Sequence, residues 1–136
     1  MLEVLTSYTW PNDGFPFASL DVRVNELARR LGLDVQQWDV DGLGRARGFG
    51  FRAASGRVYL LEEVDLSVTH SGTNGPGVYV DAGELATVGS AILVADVIAA
   101  LGLAPSEVVV VADTAAEKFA AQLVAKVARA RLNRTV

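Results

Sequence analysis

The chain has 136 residues, no cysteine and a formal net charge of −4. Its length fits one domain that buries roughly two thirds of the unfolded surface, and the missing cysteines remove disulfides, thiolate nucleophiles and sulfur-ligated zinc together. The acidic balance disfavours generic binding to nucleic acid or to an anionic membrane, because both require a cationic field.

A hydrophobic fraction of 51% with no low-complexity or linker-like stretch predicts a single compact domain spanning residues 1–136. The N-terminus has no basic segment followed by an apolar one, so a secretory signal is not expected, and the composition suits a reducing cytoplasm. The longest apolar run, Leu85 to Leu103, is interrupted by Gly89, Ser90 and Asp96. It falls short of the roughly 20 clean apolar residues of a membrane span.

Along the chain, Leu2 to Ser7 reads as a strand. The Pro11-Asn12-Asp13-Gly14 segment with Pro16 then reads as a turn whose aromatics, Tyr8, Trp10, Phe15 and Phe17, fold back as a lid on the core. Apolar residues at helical spacing from Ser19 predict a helix ending at Leu31, with Gly32 as its left-handed cap. Val35 to Val40 alternates as a strand with Trp38 and Val40 inward, and Gly48–Ala53 and Arg57–Leu61 flank Ala54-Ser55-Gly56 as a hairpin. Val64 to Thr69 and Val78 to Val80 follow as further strands.

Asp81, with Glu84 three residues on, opens a helix running to Leu101 with Gly102 as its cap. It is apolar on nearly every side, which predicts packing on several faces or self-association through Leu85 to Leu101. Val108 to Ala112 is a β-branched run expected to be covered on both faces. Thr114 and Glu117 begin a last helix that carries Phe119, Leu123 and Val127 on one face and Gln122 and Lys126 off it. The fold class that follows is α+β, a single-layer, mostly antiparallel sheet against about three helices in the order β-α-β-β-β-β-β-α-β-α.

Charge is segregated along the chain. Val58 to Glu117 holds nine carboxylates and no Lys or Arg, whereas Arg45, Arg47, Arg52 and Arg57 stand in a stretch without an acid. Segregated charge steers encounters and selects partners of opposite sign. Glu62, Glu63, Asp65 and Asp81 are the candidate partner-binding residues, expected to converge on one rim of neighbouring strands and to face a basic protein.

Arg47-Gly48-Phe49-Gly50-Phe51 resembles the opening of the eight-residue signature of the RNA-recognition motif. By that resemblance Arg47 would meet phosphate while Phe49 and Phe51 stack on bases. Arg52 and Ala54 depart from the signature's valine and final aromatic, and more strands follow Leu61 where that family places its second helix. A nucleic-acid-binding module is therefore the alternative reading. In a third reading, His70 or Asp113 serves a small enzyme, His70 as general base. With one His and no Cys, no metal site or cofactor is expected. The first reading is a small non-enzymatic protein-binding domain, similar in character to bacterial immunity proteins that occlude basic active sites.

Overall fold

A nine-residue strand, Gly44–Arg52, is the hub around which the sheet is built. In the computed structural model, which describes residues 2–5, 14–40, 44–64, 75–110, 122 and 126, the strands are β1 (Glu3–Leu5), β2 (Gly14–Leu20), β3 (Gln36–Val40), β4 (Gly44–Arg52), β5 (Val58–Val64), β6 (Gly77–Asp81) and β7 (Val108–Val110). They form one seven-stranded sheet in the order β1-β4-β5-β6-β2-β7, with β3 also on β4. Every pairing is antiparallel. The helices are α1 (Val24–Leu31), α2 (Ala82–Val88) and α3 (Ser90–Leu101). The architecture is α+β.

Strand alternation sorts the side chains into two faces. Phe49, Phe51, Tyr59, Leu61, Val78 and Val80 meet α1–α3, and each is fully buried with Val24, Leu27, Leu85 and Leu93 from the helices. The rings of Phe51 and Tyr59 stack at 5.4 Å, and Phe17 and Phe49 join them at 5.8 and 6.0 Å. The opposite face carries Trp38, Ala46, Gly48, Leu60, Glu62 and Tyr79, paired in register across β3 to β6. Ala46 and Leu60 are buried there, outside the main core.

Several elements differ from their sequence reading. Residues 14–20 are a strand rather than a turn with an aromatic lid, and Phe17 is a core residue with no exposed surface. Pro16 makes this segment look like a turn, yet a proline fits a strand at a bulge, and the β2–β6 register shifts between Pro16 and Ala18. The first helix starts at Val24, five residues after Ser19. Trp38 lies on the face away from α1–α3, not toward the core. The expected Val64–Thr69 strand falls almost wholly outside the described residues. Of the expected last helix, Gln122 and Lys126 are described, and both are helical and exposed.

The Val108 run pairs with β2 along one edge, and Val109 is 53% exposed, so among the described residues it is not covered on both faces. The apolar stretch Ala82 to Leu101 is two helices bent by 111°. Leu85, Leu93, Val97 and Leu101 all bury into the chain's own core, which accounts for its apolarity, while Ile92 stays 52% exposed. Among the described residues no single helix is long and apolar enough to cross a membrane.

Gly89 makes the bend possible. Its φ of 82° and ψ of 164° lie in a region that only glycine enters without strain. Gly89→Ala is expected to cost about 1–3 kcal/mol, read as a lowered denaturant midpoint with an unchanged slope. Parent-like stability in that variant would show that the corner tolerates a side chain.

Candidate functional site

Neighbouring residues on a strand point to opposite faces, and β5 places two glutamates side by side. Glu63 turns inward and is 9% exposed. Its carboxylate accepts the Val24 amide at 3.3 Å and lies 3.6 Å from Arg23 and 3.9 Å from Arg47. Arg23 stands at the N-cap of α1 without a side-chain cap bond, so Glu63 supplies from the sheet the acceptor that the helix start lacks. Glu63 is a pillar of the fold.

Glu62 faces the other way. It accepts the indole Nε1–H of Trp38 at 3.0 Å, and Tyr79 stands beside it on β6. Burial, first, and then the Glu62 charge push the Tyr79 phenol above its ordinary range. Gly48 on β4 and Gly77 on β6 flank Glu62 in register. A Cβ on Gly48 would strike the Leu61 carbonyl oxygen at 1.8 Å and meet the Trp38 ring at 3.2 Å, while one on Gly77 would meet the Tyr79 ring at 3.2 Å. Each ring leans over a glycine toward the carboxylate between them.

The expected acidic rim does not assemble from the described residues. Glu62 and Glu63 point to opposite faces, and Asp81 lies four residues along β6 from the partner of Glu62, about 13 Å away at strand spacing. Asp81 instead caps α2, accepting the Gly83 amide at 2.7 Å. Asp65, His70 and Asp113 lie outside the described residues. The stacking role suggested for Phe49 and Phe51 is also overturned: both rings are fully buried against the helices and present no face to a base. Arg47 from the same pentapeptide turns toward Glu63.

Charges segregated in sequence meet in space. The acids of the cation-free stretch take arginines from before it: Glu107 binds Arg30 at 2.9 Å, Glu84 binds Arg57 at 3.1 Å, and Asp96 lies 3.7 Å from Arg57. The backbone N–H of Ala104 and then Arg30 hold the Glu107 carboxyl below the usual carboxylate range. Glu62 differs from these acids. Among the described residues it has no cation within ion-pair distance.

Two other polar regions are occupied by contacts within the chain. Asp96 on α3 accepts Ser55 Oγ–H and Tyr59 O–H, each at 2.6 Å, and with Arg57 ties the β4–β5 hairpin to α2 and α3. This network fastens elements together. A cleft of about 570 Å³ is floored by Leu2, Leu31, Leu33 and Ala53. Its two guanidinium groups already hold carboxylates, Arg30 on Glu107 at 2.9 Å and Arg52 on Glu3 at 3.0 Å. Among the described residues no three His, Asp or Glu side chains gather as metal ligands would.

Comparison with protein-family models, with curated proteins and with solved structures gives no match in any of the three. Sequence reasoning found Glu62 but missed Trp38 and Tyr79 as its companions. The available signal was a glycine inside each of two strand runs, Gly48 and Gly77, which marks close approach by something else.

Tyr59 provides a test of the Asp96 network. Burial, followed by the Asp96 hydrogen bond and charge, raises its phenol far above the ordinary value. A group whose folded pKa is raised contributes in full below its unfolded value, about 10 for tyrosine, and loses that contribution as the pH climbs through the folded value. Unfolding free energy should therefore fall above about pH 10, and Tyr59→Phe should flatten that fall. Identical alkaline slopes for parent and variant would contradict the assignment.

Proposed function

We propose that the chain is a non-enzymatic protein-binding domain of the inhibitor or immunity kind, acting in the cytoplasm of a bacterial cell on a cationic protein partner. The partner meets the sheet face turned away from α1–α3. The observation that carries this reading is Glu62, a part-buried carboxylate held between Trp38 and Tyr79 with no arginine or lysine beside it among the described residues. A half-buried charge is costly unless something compensates it, and Glu63, Glu84, Asp96 and Glu107 each meet an arginine of this chain. Tryptophan and tyrosine are also the side chains that most often dominate the energetics of protein interfaces.

Self-association through α3 is a lesser proposal, supported by the 52% exposure of Ile92. Burial of the helix's other large side chains weakens it, and light scattering on the parent and on Ile92→Glu decides it.

The partner test is an affinity capture from the native source at low salt, followed by titration of the recovered basic protein. Glu62→Lys is expected to weaken that binding roughly 30-fold or more. Asp39→Lys serves as the control, because Asp39 is an acid whose side chain is 92% exposed on the edge strand β3. Reversing Glu63 is uninformative for binding, since it removes the acceptor at the start of α1. Undiminished binding by Glu62→Lys would end the proposal.

A further inference from the structure

We infer that the group received at Glu62 is a guanidinium, the side chain of an arginine on the partner. This inference rests on the protein-binding reading and specifies its chemistry.

The row Gly48, Glu62, Gly77 runs across β4, β5 and β6. On each side of Glu62 the absent side chain leaves room for a ring: Trp38 comes within 3.2 Å of where a Gly48 Cβ would stand, and Tyr79 within 3.2 Å of where a Gly77 Cβ would stand. Trp38 turns its N–H toward the carboxylate, and Tyr79 lies beside it. An indole N–H can only donate, so Glu62 meets Trp38 as an acceptor. One of the roughly four lone-pair positions of the carboxylate is used in this way. What remains is one charged acceptor bordered by two π systems.

That combination selects the ligand. An anion is repelled by Glu62, and a neutral amide leaves the charge uncompensated. Ammonium and guanidinium both satisfy the charge, but a compact ammonium is strongly hydrated and must exchange its water shell for several acceptors. The cluster offers it one carboxylate. A guanidinium is planar and weakly hydrated, stacks on aromatic faces and spreads its donors along an edge. It fits a site made of flat rings and a single acid. A salt-linked arginine also explains why this carboxylate meets no cation among the described residues, on a chain that supplies arginines to Glu63, Glu84, Asp96 and Glu107.

The experiment uses the full chain and small probes. Methylguanidinium and methylammonium chlorides are titrated at matched ionic strength while the indole N–H resonance of Trp38, assigned with Trp38→Phe, is followed by ¹⁵N NMR. A saturable shift is expected with methylguanidinium, at least about threefold tighter than with methylammonium, and lost in Glu62→Gln. Equal responses to the two cations, no saturable response, or a response that survives Glu62→Gln would each overturn the inference. Partner binding that depends on Glu62 without a guanidinium preference would overturn this inference and leave the protein-binding reading standing. Guanidinium preference with a Glu62-independent partner would remove that reading instead.

Discussion

The alternation of β5 is the constraint on which the rest depends. Leu61 and Glu63 point toward α1–α3, and Leu60 and Glu62 point away. Because the side-chain period of a strand is two, no register brings Glu62 and Glu63 to the same face, and a one-residue slip only exchanges them. Such a slip would carry Tyr59, Leu61 and Glu63 out of the interior together. The core therefore dictates that one glutamate serves the fold and its neighbour does not. Glu63 takes up the start of α1 together with Arg23 and Arg47. Glu62 is left on the other face, with the Trp38 N–H and the Tyr79 ring beside it and no counter-ion among the described residues.

Magnitudes separate what holds the molecule from what shapes it. Each of the large buried side chains, among them Phe17, Phe49, Phe51, Leu27, Leu61, Leu85 and Leu93, is worth about 1.5–3 kcal/mol on burial. An exposed ion pair such as Arg52 with Glu3 is worth about 0–1 kcal/mol. Burial supplies the stability, and the arginine pairs decide which elements meet. Arg57 with Glu84 and Asp96 draws the β4–β5 hairpin to the helices, and Arg30 with Glu107 brings the end of α1 to the approach to β7. The segregation of charge along the chain is thus largely a set of long-range pairing instructions. Among the described acids of that stretch it leaves two without a cation, Asp81, which caps α2, and Glu62.

Much of the fold was legible in the sequence because it is written in local chemistry. Gly32 and Gly102 adopt the left-handed conformation expected of helix caps, and Asp81 caps α2 by its side chain. The Ala54-Ser55-Gly56 connection closes the hairpin, with the Gly56 amide bonding back to Ala53. The misread parts share a different cause. Pro16 looks like a terminator in sequence and is accommodated by a bulge in three dimensions. Gly89 looks like a tolerated helix glycine and is a corner of 111°. The candidate site lay deeper still. Trp38, Glu62 and Tyr79 come from three strands, and only the register that pairs Gly48 with Glu62 and Glu62 with Gly77 shows that they meet. A single sequence encodes that register in the pattern of the core, not in the site residues themselves.

The most direct measurement of the division between the two glutamates is denaturant unfolding of Glu62→Gln and Glu63→Gln side by side at neutral pH. Glu63→Gln removes the buried negative charge that Arg23 and Arg47 face, and should cost about 3 kcal/mol or more. Glu62→Gln keeps an acceptor between Trp38 and Tyr79 and removes a charge that has no cation beside it among the described residues, so its cost should stay within about 1 kcal/mol. Equal, large losses in both variants would show that Glu62 is a structural residue like its neighbour, and the account of a carboxylate reserved for a partner would be wrong.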